Sequence, residues 1–439
     1  MNRALSILST KARVLKVWGL RDMPHFRGVP STDVKELMQV FVNRESEMQR
    51  AILTLDDCEN ILIRGMIGIG KTAFIMAVLY QMEQQAKALG QSVLPIHIRQ
   101  FAGGTRNDFY RIILYALAKQ LGPNNKRARE IVRAFTGEEI TKGRSRGLSA
   151  GIEVQVPQLF TARTEGQLGG EASELLKIEY PEHFVDELLD AAVKKYRRIV
   201  IAVDDLERAT NQGSIKQMLE TSLDLLRDKR CAFILTGRTL TILEDVYASG
   251  LDIFNETIPL KPLSPQELRL IAIRTLNLVR QRPDENSIFP FTDEVLETII
   301  SKSFCIPRQF VLLCGKILKI AIENGTEELT AETFRQSFEQ LQEENAEKDV
   351  PLDIRRILYL GLQQGGFSIS KDADLDQVYE ILGITTLKQF ADFADNLVQQ
   401  DLLQRLTDGR GEVLYRLAPG LEKLAQSGES TKERSSDLA

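Results

Sequence analysis

The spacing of apolar and polar positions divides the chain into three stretches of different character. Between residues 60 and 236, short apolar runs alternate with segments of helical period. The runs at 60–64, 92–98, 198–203 and 231–236 are largely apolar, as strands of a parallel sheet buried on both faces are. The segments 71–89, 106–121, 184–196 and 214–226 repeat their apolar positions at the helical interval. The first stops at Gly90 and the second at Gly122-Pro123, both helix-ending signals. Strands alternating with helices of this length predict an α/β domain: a parallel sheet with helices on both faces.

The second stretch, 264–342, reads as helices only. It opens on Ser264-Pro265-Gln266-Glu267, with Ser at the cap, Pro at the first helical position and Glu at the third. A charged linker, 343–350, runs to Pro351. The third stretch holds helices at 352–364, 375–382 and 387–400. Short strands at 402–407 and 412–417 follow, around the hairpin signal Asp408-Gly409-Arg410-Gly411. Three helices and then a hairpin is the order of a winged helix. The expected organisation is a lead-in over 1–40, an α/β domain over 41–262, an all-helical lid over 263–345, a winged-helix domain over 351–424 and a disordered polar tail over 425–439.

Composition narrows the classes. The 439 residues are 43% hydrophobic and 27% charged, which suits a globular protein with large cores. A net charge of −5 excludes an overall basic surface, so contact with nucleic acid would need a local patch. The cysteines, Cys58, Cys231, Cys305 and Cys314, form no C-x-x-C pair and suggest reduced thiols in a cytoplasmic protein. His25, His97 and His183 lie far apart in sequence, which argues against a metal site built from them. No run approaches the ~18 apolar residues of a membrane span, and no signal peptide is visible.

The chemistry lies at the strand ends. Residues 65–72 read G-M-I-G-I-G-K-T and fit G-x-x-x-x-G-K-[ST] at every required position. They sit between a predicted strand and a predicted helix, the context that gives this motif its meaning. Gly65, Gly68 and Gly70 let backbone N–H groups turn toward phosphate oxygens. The helix start adds its positive dipole end. Lys71 would neutralise the β- and γ-phosphates and Thr72 would ligate magnesium, so the expected cofactors are ATP and Mg²⁺. The apolar run 199–203 ends in Asp204-Asp205. Asp204 is the expected magnesium-side carboxylate. Asp205 is expected to orient the attacking water, with Glu207 as the alternative. A third strand end carries Thr236-Gly237-Arg238. Thr236 or Arg238 there would lie between the two motifs and distinguish ATP from ADP.

Together these motifs resemble the AAA+/STAND group of P-loop ATPases. The residues F-V-N-R-E at 41–45 resemble the F-V-G-R-E box that precedes the phosphate loop in many of them, with Asn43 in place of the glycine. The resemblance places Arg44 near the adenine. In the lid, Ile306-Pro307-Arg308 resembles the G-x-P-R motif whose arginine reaches the γ-phosphate, with Cys305 where a glycine is expected. A lid followed by a winged helix is similar to origin-recognition initiators and to STAND signalling ATPases.

Two features depart from the ring-forming members. The stretch 240–260 contains no arginine or lysine that could act as a trans finger. An insertion over 124–178 separates the phosphate loop from Asp204. It is read as a protruding hairpin or flexible arm, with Lys126, Arg127, Arg129, Arg133, Lys142, Arg144 and Arg146 at its start.

Two functional classes follow. One is a slow or regulated ATPase switch that couples nucleotide state to domain rearrangement and homo-oligomerisation in a signalling or defence assembly, with a protein partner. The other is an ATP-dependent DNA-binding regulator using the basic insertion and the winged helix. Against the second, helix 387–400 sets Lys388 against Asp392 and Asp395, leaving Arg405, Arg410 and Arg416 as the wing's helpful charges. A metabolic enzyme ranks third, since no small-substrate site is visible.

Overall fold

In the computed structural model, the described residues are 2–28, 33–99, 101, 105–136, 152–154, 180–206, 215–237, 253–369, 375–407 and 412–428. The helices and strands, in chain order, are α1 (Asn2–Val17), α2 (Val34–Val40), α3 (Glu45–Asp56), β1 (Ile61–Arg64), α4 (Lys71–Ala88), β2 (Val93–Ile98), α5 (Arg106–Leu121), α6 (Lys126–Thr136), β3 (Ile152–Val154), α7 (Pro181–Val193), β4 (Arg198–Val203), α8 (Ile215–Thr221), α9 (Leu223–Leu226), β5 (Ala232–Gly237) and β6 (Glu256–Pro259). Then come α10 (Pro265–Asn277), α11 (Asp293–Lys302), α12 (Pro307–Glu323), α13 (Ala331–Ala346), α14 (Leu352–Gln363), β7 (Phe367–Ser368), α15 (Asp376–Leu382), α16 (Leu387–Gln399), β8 (Leu403–Thr407), β9 (Val413–Leu417) and α17 (Glu422–Gln426). By its internal contacts the chain divides into two units. One comprises Pro30–Gly65 and Gly70–Lys261; the other comprises Met1–Val29, Met66–Ile69 and Pro262–Ala439.

The first unit is built on a six-stranded parallel sheet of order β3-β2-β4-β5-β1-β6. The four sequence-predicted strands form its centre. Their apolar runs are buried on both faces, as parallel strands covered by crossover helices must be. Residues alternate between faces along a strand. Ile199, Ile201 and Val203 of β4 join Phe233 and Leu235 of β5 in the core under α5, α6, α7 and α8. The next residues of the opposite parity, Asp204 and Thr236, therefore lie on the other side of the sheet.

Two strands differ from the sequence reading. β6 pairs with β1 at one edge and was hidden by its length of 4 residues. The strand at 152–154 pairs in parallel with β2 at the other edge. It is an edge strand of the main sheet, reached from β2 by a crossover as parallel pairing requires. The start of the insertion is helix α6, which buries Ala128, Ile131, Val132 and Phe135 in the main core. Phe135 meets the Tyr115 ring edge-on at 5.5 Å. This part of the insertion is packed structure, not a protruding arm. Residues 137–151 and 155–178, with Lys142, Arg144 and Arg146, lie outside the described residues.

In the second unit, α10 starts at the predicted capping box, with Ser264 and Glu267 exchanging backbone hydrogen bonds. The lead-in packs here. Trp18, 1% exposed, donates from Nε1 to Glu327 O at 2.9 Å, and Phe26 meets Phe291 edge-on at 6.4 Å. Nothing in the local pattern of 1–28 foretells that long-range pairing. The C-terminal helices and strands appear in the expected order, around an antiparallel sheet of order β7-β9-β8. β7, of 2 residues, is too short to leave a period. The turn 408–411 and the tail 429–439 lie outside the described residues.

Candidate nucleotide-binding site

The phosphate loop leaves β1 and enters α4 at Lys71. Gly70 caps the helix at φ +98° and makes no side-chain cap hydrogen bond. The first-turn N–H groups and the dipole of an 18-residue helix are what an anion would meet there. Gly68 has φ +80°, and a Cβ on it would stand 3.0 Å from Arg308 Cβ, so backbone conformation and space both require glycine. Lys71 is 7% exposed, and its Nζ donates to Gly65 O at 2.9 Å. The ammonium is thus held across the loop by a carbonyl.

Strand order brings the other groups together. β5 lies between β4 and β1, so Thr236 stands between the Asp204 strand end and the phosphate-loop strand. Thr72 Oγ1 donates to Asp204 Oδ2 at 2.6 Å. Thr236 Oγ1 donates to Asp204 Oδ1. The Asp205 N–H lies 3.1 Å from both Asp204 Oδ1 and Thr236 Oγ1. Asp205 holds φ +54°, a left-handed conformation in which Asp is enriched.

Asp204 is 1% exposed. Burial alone would raise its pKa, but the imidazole of His97 and the hydroxyls of Thr236 and Thr72 outweigh that and hold it well below the usual carboxylate range. The site therefore keeps a buried negative charge beside a threonine hydroxyl. Magnesium takes one or two hard oxygen donors from protein and completes its shell with phosphates and water. The Thr72–Asp204 pair fits that ion. Among the described residues, no cluster of three or more His, Cys, Asp or Glu offers an alternative metal site. A bound magnesium would neutralise charge on the phosphate oxygens.

The remaining sequence candidates sort as follows. Arg44 is buried in the same unit. Its guanidinium donates to Lys261 O and lies 3.5 Å from Glu47, tying the start of α3 to the segment that follows β6. Asn43, at φ +54°, adopts the left-handed conformation that the expected glycine would provide, and Asn tolerates it. In the other unit, the Arg308 N–H donates to Gly68 O at 3.2 Å. The Arg308 guanidinium lies 3.3 Å from Asp401. Cys305 has φ +58°, again the conformation a glycine would take. Glu207 and Arg238 lie outside the described residues.

His97 was missed from sequence as a member of this cluster. It is 2% exposed on β2, with Nε2 3.7 Å from Asp204 Oδ2. The available signal was a single ionisable residue inside an otherwise apolar strand.

A parallel sheet whose phosphate loop and acidic strand end flank a central polar strand end defines a P-loop nucleotide-binding domain. Residues 32–234 match the family model described as an AAA ATPase domain, and the chain carries a P-loop ATPase domain of that type. Among solved structures, the chain is similar to the Aeropyrum pernix ORC1 protein in complex with DNA, at 15% identity over 93% of this chain and 98% of that one, with a TM-score of 0.47. Drosophila ORC bound to DNA gives 13% identity over 92% and 94%, with a TM-score of 0.43. CDC6P from Pyrobaculum aerophilum gives 12% over 92% and 100%, with a TM-score of 0.44. No curated protein matches the sequence.

Proposed function

We propose that the chain is a magnesium-dependent ATP-binding and ATP-hydrolysing switch. Nucleotide state would set the arrangement of a helical lid (263–345) and a winged-helix domain (351–424), and through them self-assembly in a signalling complex. The observation that carries this reading is the hydrogen-bonded chain Thr72–Asp204–Thr236–Asp205, which links the first turn of α4 to the ends of the adjacent strands β4 and β5. It joins the cation site, the sensing threonine and the backbone N–H of the residue proposed to orient water in one network. A change at the phosphates then reaches several segments together, which suits a switch.

The DNA-directed alternative loses support from the charges. Arg405 is 3% exposed and paired with Asp395 at 3.2 Å. Arg416 stacks over the Phe304 ring at 5.4 Å. On α6, Arg127 faces Glu130 and Glu187 and covers the Phe184 ring. These cations are engaged by protein groups, and a winged helix so engaged suits protein packing.

The test is nucleotide titration with a fluorescent ATP analogue, followed by light scattering in ADP and in a slowly hydrolysed ATP analogue. Wild type should bind in magnesium and change its assembly state between the two nucleotides, while Lys71→Ala should not bind. Tight binding by the variant would sink the assignment of the loop. A gel shift on duplex DNA at low salt, positive in either nucleotide state, would restore the DNA-directed alternative.

A further inference from the structure

β2 reads Val93, Leu94, Pro95, Ile96, His97, Ile98. Its ladder with β4 sets His97 opposite Ala202 and Ile98 opposite Val203. The pairing continues one residue further, where the Asp204 N–H donates to Ile98 O at 2.9 Å. Ile96 and Ile98 belong to the core under α5, so the alternation of the strand turns His97 to the opposite face, which Asp204 also uses. An apolar residue at this position would match its neighbours. A histidine stands there instead, buried beside a carboxylate.

The carboxylate's bonds leave a place for it. An ionised Asp offers about four lone-pair positions. Oδ1 accepts from the Thr236 hydroxyl and from the Asp205 N–H, and Oδ2 accepts from the Thr72 hydroxyl. His97 Nε2 lies 3.7 Å from Oδ2 and has no hydrogen-bond partner. Most buried side-chain polar atoms are paired, and leaving one unpaired is costly. Closing to hydrogen-bond distance requires a shift of under about 1 Å.

We propose that His97 is a positioning residue for the cation site, its Nε2–H closing on Asp204 Oδ2 when the magnesium nucleotide binds and fixing the carboxylate that orients the Thr72 hydroxyl. This rests on the reading of the Thr72–Asp204 pair as a magnesium site. The N–H is present in the neutral Nε2 tautomer and in the imidazolium alike, so the role requires no change of protonation. Groups that orient a metal ligand in this way commonly alter metal affinity 10- to 100-fold when removed.

The experiment compares affinity for a fluorescent ATP analogue in magnesium with that in EDTA, for the full chain and its His97 variants. His97→Leu should reduce the magnesium-to-EDTA affinity ratio by about tenfold. His97→Gln, whose amide can place an N–H near the Nε2 position, should keep the ratio within about threefold. In an Asp204→Asn background, His97→Leu should cause no further loss. A wild-type ratio in His97→Leu would overturn the proposal, as would equal losses in the Leu and Gln variants or additive losses with Asp204→Asn. If His97→Leu does not fold, as judged by circular dichroism, His97→Met serves as the donor-free variant and is read by the same criteria. Wild type that binds no nucleotide in either buffer would instead overturn the magnesium-site reading itself, and this proposal with it.

Discussion

Replacing Arg405 with Met would test the interior of the C-terminal helices and strands and the role of the wing together. Arg405 and Asp395 are 3% and 4% exposed. Arg405 Nη1 lies 3.2 Å from Asp395 Oδ2 and 3.4 Å from Oδ1. Tyr415 Oη donates to the same carboxylate at 2.8 Å. Removing the guanidinium leaves a buried carboxylate without its counter-charge, at a cost of about 3–5 kcal/mol. At ~1.4 kcal/mol per decade, that is about a 10²- to 4 × 10³-fold loss of protection from hydrogen exchange in segments opening as one unit. Exchange mass spectrometry of peptides spanning 387–417 is the appropriate assay, because a chain of several units has no single unfolding free energy. The double variant Asp395→Leu/Arg405→Met removes both charges and should recover most of the loss. Protection in Arg405→Met equal to wild type would refute the reasoning, since the pair would then be contributing nothing. The same variant bears on DNA. A side chain already paired releases no counterions, so any residual DNA binding should keep its salt dependence. A slope reduced by about one would mean that Arg405 touches phosphate.

Other outcomes follow from the site. Asp205→Asn should bind ATP and lose turnover in a phosphate-release assay; unchanged turnover would move the water-orienting role to Glu207 or elsewhere. Asn43→Ala should destabilise the first unit by about 1 kcal/mol, because alanine resists the left-handed conformation, whereas Asn43→Gly should be close to neutral. Hydrogen-exchange protection of peptides spanning 41–57 in the nucleotide-free chain would decide this, and equal protection for the Ala and Gly variants would rule out the conformational argument.

The central sheet and phosphate loop were legible because their signals are local. Buried parallel strands are continuous apolar runs, and residues 65–72 carry their chemistry within eight positions. Asp204 and Thr236 were legible as types at strand ends and Thr72 within the loop-to-helix motif, and the sheet order then brought them together. What escaped depended on partners distant in sequence. β6 and β3 are short edge strands defined by their neighbours. The attachment of α1 to the C-terminal unit rests on contacts such as that of Trp18 with Glu327, 309 positions away. The availability of charges was equally hidden, since Arg405 reads as a wing cation until its burial against Asp395 is known. His97 escaped because its meaning depends on strand parity and on the β2–β4 register.

The Thr236 hydroxyl is used in both directions: it donates to Asp204 and accepts from the Asp205 backbone. In genetic terms, Thr236 and Asp205 form one locus of effect although they lie on different strands. Loss of the hydroxyl would leave the Asp205 N–H with Asp204 Oδ1 alone and loosen the backbone that aims Asp205, so the two single variants and their combination should share one phenotype. A suppressor of either would then be expected to act on the other.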